Sequence, residues 1–404
     1  MAYLKDFILR YSGNECPESF LHWSALALLS ASLGRKVFYM HGEDFIVYPN
    51  IYVGLVGTAG SGKSTAKGFT KRLFMELFPT RMISSSIQSR EDIIQKMGSD
   101  ECLETWSIIQ GDRKIIKEHR PFFLIVNELS NFLSVDMRKM VDFLVDIFDE
   151  NYFSTGFKNA ASQTYNSPYM CMLACVQPIW IMSNLKLDLF SGGLGRRLIL
   201  VVDEKKELVD EPFVPAGGVE ALARVKNHLL KVNNVQGQFE RTAAARSWWK
   251  KWYHDPKRFN REDPIIQQFH ETKSIMLIKV AMLLSLTEEP FKLLIDEQHF
   301  EMARHLLDAL EPKIQQLTGG IGRNELASVA QGILLSLQGS MDGRLTRKKV
   351  ELLHYRNTPN GTRGLEEIFV HLQKTGQMAV SRVGEVEFFW MPEAYRKFME
   401  GEKK

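Results

Sequence analysis

Short, wholly apolar runs alternate with amphipathic stretches along the first half of the chain. Each run has the length and composition of a buried strand, and each amphipathic stretch repeats its apolar positions with the period of a helix. The predicted strands are residues 51–56, 122–126, 170–176 and 198–202. The predicted helices between them are residues 64–77, 90–97 and 137–149. Buried strands that alternate with helices predict a parallel α/β core.

A long helix and two hairpins surround this core in the sequence. Residues 17–34 carry a helical apolar pattern that ends at a glycine. Residues 37–40 and 45–48 flank a polar tetrapeptide, which predicts a first hairpin. Residues 152–158 and 163–169 flank a small polar turn, which predicts a second hairpin directly before the strand at 170–176.

The pattern changes after residue 203. Residues 217–315 have a helical period almost throughout, and residues 317–322 have the composition of a linker. The tail then predicts three helices and two strands, the order of a winged helix: 327–337, 347–354, 363–374, 378–382 and 385–391. The predicted divisions are an N-terminal helix and hairpin (1–50), an α/β core (51–205), a helical lid (206–318) and a winged helix (323–404).

Composition limits the class of protein. The chain has 404 residues, 45% hydrophobic and 25% charged, as expected of a globular protein with two or three domains. Its net charge of +3 means that any nucleic-acid surface must be local. The four cysteines form no C-x-x-C pair, and Cys171 and Cys175 lie in an apolar run, so we expect core positions and a reducing, cytoplasmic setting. The N-terminus lacks a signal-peptide pattern, and no apolar stretch has the length of a membrane span.

A glycine-rich segment follows the first predicted core strand. It fits the phosphate-loop pattern G-x-x-x-x-G-K-[ST] without a mismatch, between a strand and a helix as that loop requires. Its backbone N–H groups and the helix N-terminus would bind a polyphosphate, Lys63 would reach the β- and γ-phosphates, and Ser64 would bind Mg²⁺. The residues are Gly57, Thr58, Ala59, Gly60, Ser61, Gly62, Lys63, Ser64 and Thr65. The segment predicts binding of a nucleoside triphosphate, with ATP and Mg²⁺ as cofactors.

Polar residues at the ends of two later strands predict hydrolysis. Asn127 and Glu128 follow the strand at 122–126, where ATPases of the strand-inserted type carry Asp-Glu. Glu128 is the candidate general base, and Asn127 would hold a metal-bound water, with weaker Mg²⁺ affinity because an amide adds no charge. Gln177 follows the strand at 170–176 and would sense the γ-phosphate. Asn184 is the alternative sensor, but Pro178 favours a helix start after Gln177.

Two adjacent arginines lie on a glycine-rich loop directly before the last predicted strand. In ring-forming ATPases, a loop at this position inserts an arginine at the γ-phosphate of the neighbouring subunit. Arg197 is the first candidate for this role and Arg196 the second. The active enzyme is then expected to be an oligomer.

These motifs, in this order, resemble ring-forming AAA+ helicases of mobile elements. The resemblance is to the primase-associated helicase domains of phages, plasmids and integrated elements, which are similar to superfamily-III and minichromosome maintenance helicases. It extends from about residue 12 to the C-terminus. It depends on residues 53–57 with 62–65, 127–130, 168–178 and 193–197, and on a helical block that resembles the family's lid. Lys273 or Lys279 of that block would serve as a lid sensor.

The resemblance implies a P-loop ATPase (AAA+/RecA-like) core, a helical lid and a C-terminal winged helix. It further implies a hexameric ring that translocates on single-stranded DNA and acts as a replicative helicase, with a separate primase or initiator as a partner. The hairpin before the sensor strand would contact DNA through Phe157, Lys158 and Asn159; the alternative is an ordinary surface turn. The winged helix would contact DNA through its basic residues, or dock a protein.

Two other functions remain open at this stage. One is a motor or switch that does not unwind DNA, in packaging, transposition or defence. The other is a nucleotide-gated adaptor that scarcely hydrolyses ATP, which Asn127 favours. Fold analogy alone carries the step from ATPase to helicase.

Overall fold

The computed structural model divides into two compact units. The first comprises residues 1–176 and 189–314, and the second comprises residues 177–188 and 315–404. The residues that the structure describes are 1–85, 89–110, 113–134, 136–149, 152–157, 160–184, 193–204, 208–256, 264–318, 325–355, 358 and 361–401.

A parallel sheet of five strands forms the core of the first unit, which is therefore α/β as predicted. Its strand order is β10-β3-β9-β6-β4, and every neighbouring pair is parallel. Tyr52 pairs with both Met172 and Leu198, and Val56 pairs with both Val176 and Val202, so the carboxyl ends of three strands are level. The strands are β3 (Tyr52–Val56), β4 (Met82–Ser85), β6 (Arg113–Val126), β9 (Pro168–Val176) and β10 (Leu198–Val202).

The strand predicted at 122–126 is part of a much longer one. β6 begins at Arg113, and its first half pairs antiparallel with β5 (Glu104–Gln110), which the sequence did not predict. Lys114 and Ile116 are exposed on this half, whereas residues 122–126 are fully buried in the sheet. The prediction was too short because a two-stranded ribbon with solvent on its surface needs no apolar run.

Charged side chains fix the base of this ribbon. The guanidinium of Arg81 donates to both carboxylate oxygens of Glu104, and also to Ser32 O at 3.0 Å. His119 Nε2 lies 3.3 Å from Glu104 Oε2. Burial opposes ionisation of Glu104, but its bonds to His119 and Arg81 outweigh this and lower its pKa to about 2. Arg81 is itself buried, so its charge needs a partner of opposite charge, and the carboxylate of Glu104 is that partner.

Helices cover both faces of the sheet. α2 is buried from Phe20 to Leu33 except at His22, and it ends at Gly34 as predicted. The second predicted hairpin is present before β9. The helices of this part are α1 (Ala2–Tyr11), α2 (Glu18–Leu33), α3 (Lys63–Leu77), α4 (Arg90–Gly98), α5 (Leu129–Leu133), α6 (Met137–Asp149) and α8 (Leu194–Arg197). The hairpin strands are β7 (Tyr152–Phe157) and β8 (Ala160–Asn166).

The block after residue 206 is not wholly helical, so that prediction was wrong in two places. β11 (Gly237–Arg241) and β12 (Leu294–Ile295) join the first hairpin in a sheet of order β12-β11-β1-β2. The hairpin strands are β1 (Val37–Met40) and β2 (Ile46–Val47). The helices of the block are α9 (Gly218–Val232), α10 (Ala243–Tyr253), α11 (Pro264–Ser285), α12 (Glu297–Asp308) and α13 (Glu311–Thr318).

The second unit contains helices around a small antiparallel sheet of order β13-β15-β14. Its core includes Ile333, Val350, Leu365 and Phe389. The helices are α7 (Pro178–Asn184), α14 (Glu325–Gln338), α15 (Arg347–His354), α16 (Thr362–Lys374) and α17 (Pro392–Gly401), and the strands are β13 (Arg344–Thr346), β14 (Ala379–Val383) and β15 (Val386–Trp390).

Across the residues described, no helix combines the length and the apolar character that a membrane crossing needs.

Candidate nucleotide-binding site

The predicted site residues follow the carboxyl ends of three strands of the central sheet. Gly57 follows β3, Asn127 follows β6, and Gln177 follows β9. Ligands of open α/β sheets bind at this edge. Pro178 begins a helix that includes Asn184, so Gln177 is the polar residue at the strand end, as predicted.

The glycines of the loop are required by its geometry. Gly60 and Gly62 have φ of 81° and 87°, a backbone region that other residues rarely adopt. A Cβ on Gly57 would lie 2.4 Å from Ser61 Oγ, and one on Gly62 would lie 2.7 Å from Glu15 O. The loop therefore turns tightly between the end of β3 and the first residue of α3. The N-terminus of α3 is directed at the centre of the loop.

Lys63 lies under the loop with its side chain buried. Its ammonium donates to Gly57 O, to Thr58 O at 2.6 Å and to Ser61 Oγ at 3.3 Å. Burial lowers the pKa of Lys63, and negative charge on Cys175, Glu128 and Glu204 acts in the opposite direction. The ammonium thus bonds oxygen atoms of the loop itself. A bound anion would compete with these oxygens for the ammonium.

Two acidic residues that follow β10 lie beside the loop, and the sequence-based prediction missed both. Glu204 Oε1 accepts the Thr58 N–H at 3.3 Å, and burial raises the pKa of this carboxyl. Asp203 Oδ2 accepts from Ser19 Oγ and from Lys313 Nζ, both at 2.7 Å. Two consecutive acids directly after the last core strand were the available signal.

Asn127 and Glu128 lie between the end of β6 and the start of α5. Asn127 is exposed, and its Oδ1 accepts from Lys67 Nζ at 2.5 Å. Ser130 Oγ donates to Glu128 Oε1 at 3.4 Å. Ser64, in the first turn of α3, is exposed. The site therefore offers a hydroxyl, an amide and a carboxylate near the loop.

The two arginines lie at the opposite edge of the sheet. Arg197 directly precedes β10, whose first residue is level with the first residue of β3. Its guanidinium donates to Asp149 Oδ2, from Nε at 2.8 Å, and to Gly193 O at 2.9 Å. Arg196 is exposed. Since the loop follows the far end of β3, neither arginine can complete the nucleotide site of its own chain.

The two candidate lid sensors are both engaged inside the first unit. Lys273 pairs with Asp308 and is almost fully buried. Lys279 donates to Asn50 Oδ1 at 2.6 Å, and burial lowers its pKa to about 7. Asn50 precedes β3, so Lys279 lies at the edge away from the loop and the sensor prediction is wrong for it. Lys313 lies in the same block, and the sequence did not indicate a role for it. Its ammonium bonds Asp203, which lies beside the loop.

The predicted DNA contacts are described only in part. Phe157 ends β7 and pairs with Ala160, while Lys158 and Asn159 lie outside the described residues. In the second unit, the guanidinium of Arg347 bonds three carboxylates, those of Glu351, Glu366 and Glu387. Its charge is therefore balanced within the unit and contributes little to a nucleic-acid surface.

Within the described ranges, no three histidine, cysteine, aspartate or glutamate side chains are grouped so as to hold a metal ion. A comparison of the sequence with protein-family models and with curated proteins gave no match.

Proposed function

We propose that this chain binds and hydrolyses ATP as a P-loop ATPase of the strand-inserted type. The observation that carries the proposal is the matching loop at residues 57–65, set between the end of β3 and the start of α3. A second observation supports hydrolysis: β9 lies between β3 and β6, so the strand that Asn127 and Glu128 follow is separated from the loop strand by one strand. This is the arrangement that the strand-inserted class requires.

The residues of the site would divide the chemistry among them. Backbone N–H groups of the loop and Lys63 would bind the phosphates, and Ser64 would hold Mg²⁺. Mg²⁺ would neutralise charge on the phosphate oxygens. Glu128 would accept the proton of the attacking water, and Gln177 would orient the γ-phosphate.

The arginine loop supports an assembly in which sites form between subunits. Arg196 and Arg197 lie at the sheet edge opposite the loop, so they would act on the site of a neighbouring chain. The ion pair between Arg197 and Asp149 favours Arg196 for that contact, with Arg197 fixing the loop. We therefore assign the trans-acting arginine to Arg196 first and Arg197 second.

On this basis the chain would form a hexameric ring that translocates on single-stranded DNA and unwinds it. Support for the DNA step is the β7–β8 hairpin directly before β9, whose first strand ends at Phe157, and the winged-helix order of elements in the second unit. The second candidate is a nucleotide-gated adaptor or a motor that does not unwind DNA. The amide at position 127 is the observation that favours it.

Nucleotide binding by a Lys63→Ala variant tests the site. Removal of the ammonium should weaken ATP binding at least about tenfold, because a charge-assisted contact to phosphate is lost. Lys71→Ala, on the same helix two turns farther along, is the matched control and should bind as the wild type does. Equal ATP affinity in Lys63→Ala and the wild type would refute the assignment of the loop.

A further inference from the structure

A second lysine lies at the candidate site, and neither the motif nor the proposed function assigns it a role. Lys67 is one helical turn beyond Lys63 on α3, so the two side chains project from the same face. Lys67 is buried, with 8% of its surface exposed, and its Nζ donates to Asn127 Oδ1 at 2.5 Å. The residue that departs from the expected Asp-Glu pair is therefore the one that this lysine contacts.

The ammonium of Lys67 has no carboxylate as a hydrogen-bond partner among the described residues. Asn127 is the one hydrogen-bond partner recorded for it among the described residues, and that partner is neutral. A buried charge normally has a partner of opposite charge, because losing water otherwise costs several kcal/mol. A purely structural link between α3 and β6 would be stronger with Asp at position 127. Two of the three ammonium donors are left for a ligand.

The other charged groups of the site converge on the same place. Burial raises the pKa of the Cys175 thiol, while the charges of Lys67 and Lys63 lower it. Glu128 and the hydroxyl of Ser64 also act on this thiol. Lys63 donates to Gly57 O and Lys67 donates to Asn127 Oδ1, so both ammonium groups lie where the loop, α3 and the end of β6 meet.

The chemistry of the amide points in the same direction. An ammonium only donates, so Lys67 engages the oxygen of Asn127 and leaves the amide N–H groups as donors. A carboxylate at this position would accept hydrogen bonds from metal-bound water. An amide whose oxygen is held by a lysine presents hydrogen-bond donors, which suit phosphate oxygens instead.

We propose that Lys67 and Asn127 together bind the terminal phosphates of the nucleotide and replace part of the charge that Mg²⁺ supplies in related sites. The inference rests on the proposed function, because it assumes that the loop binds a nucleoside triphosphate. Its consequence is that ATP binding to this chain depends only weakly on Mg²⁺.

ATP binding measured with excess Mg²⁺ and with EDTA tests this, using a fluorescent ATP analogue and the full chain. The wild type should lose less than about tenfold in affinity when Mg²⁺ is removed. Lys67→Met should lose at least about tenfold in EDTA and less with Mg²⁺, and Lys71→Met is the matched control. Asn127→Asp should also lose affinity in EDTA and gain Mg²⁺ dependence, because its carboxylate neutralises Lys67. Asn127 is exposed, so this variant keeps the test valid if Lys67→Met does not fold.

Two results would overturn the inference. One is a wild type that binds ATP with Mg²⁺ but loses more than about a hundredfold in EDTA. The other is the same Mg²⁺ dependence in the wild type, Lys67→Met and Asn127→Asp. Failure of the proposed function would look different: the wild type would bind no ATP under either condition, or Lys63→Ala would bind it equally well, and the inference would fall with it.

Discussion

Glu128 is the residue on which the chemical step depends in the proposed site. It lies between Asn127, which follows β6, and Leu129, which begins α5, so two elements fix its backbone, and Ser130 contacts its carboxylate. A carboxylate in this position can accept a proton from water, whereas an amide of the same shape cannot.

Glu128→Gln should therefore retain ATP binding and lose hydrolysis by about 10² to 10⁴-fold, the usual contribution of a general base. Steady-state phosphate release and ATP binding, measured on the same preparation, check both parts. Glu220→Gln, on the exposed face of α9, is the control and should hydrolyse ATP at the wild-type rate. Hydrolysis by Glu128→Gln within a factor of about two of the wild type would remove Glu128 from the mechanism.

The sequence could identify Lys63 and Glu128 because each occupies a fixed place relative to a local pattern, a loop motif or a strand end. It could not identify Lys67, Glu204 or Lys313. Their proximity to the loop depends on which face of α3 meets β6, and on how far β10 and α13 extend beside the loop. Those relations are tertiary: the neighbouring residues give no sign of them for Lys67 and Lys313, and for Glu204 the acidic pair at 203–204 was the one local signal.

At the scale of elements, local pattern and long-range pairing account for what was and was not predictable. The helix at 137–149 and the strand at 198–202 were predicted with the bounds observed, because the first has a strong helical period and the second is an unbroken apolar run. β11 was missed because it contributes one buried aromatic side chain, Phe239, and is fixed by pairing with β1 some two hundred residues earlier. Its residues alone do not distinguish a strand from a helix end.

The second unit contains an element whose stability depends on pH. His354 ends α15 and is buried, with Ser336 Oγ 3.0 Å from its Nε2. Burial lowers its pKa to about 4, from an ordinary value of 6.5. Because the folded-state pKa is the lower one, the unfolded chain takes up the proton first as the pH falls. The stabilisation is complete above pH 6.5 and is lost between pH 6.5 and 4.

The second unit should thus lose about 2 kcal/mol of unfolding free energy between pH 7.5 and pH 5 through this residue. His354→Gln keeps a hydrogen-bonding group and cannot be protonated. The unfolding free energy of this variant should therefore fall by about 2 kcal/mol less than that of the wild type over the same interval. Hydrogen exchange of α14–α16 in the full chain, corrected for intrinsic rates, measures the difference. An identical pH dependence in the variant and the wild type would show that His354 does not control this stability.

In the whole assembly, a nucleotide site formed between chains needs the loop of one chain and the arginine of its neighbour. Lys63→Ala and Arg196→Ala should each abolish hydrolysis, the second without loss of ATP binding. A mixture of the two contains interfaces in which an intact loop faces an intact arginine, at about a quarter of all interfaces if subunits mix at random. Mixing should therefore restore hydrolysis. No recovery from a mixture shown by mass to have exchanged subunits, or normal hydrolysis by Arg196→Ala and Arg197→Ala, would contradict a site formed between chains.

ATPase activity is tested most directly by steady-state ATP hydrolysis with and without single-stranded DNA, on protein whose mass in solution is recorded. We expect hydrolysis that DNA stimulates, a ring-sized mass, and loss of the activity in Lys63→Ala. ATP hydrolysis that is absent, or unchanged by the Lys63→Ala substitution, would contradict the account at its centre. ATP hydrolysis that is present but unaffected by DNA would support the proposed ATPase activity and contradict the proposed helicase activity.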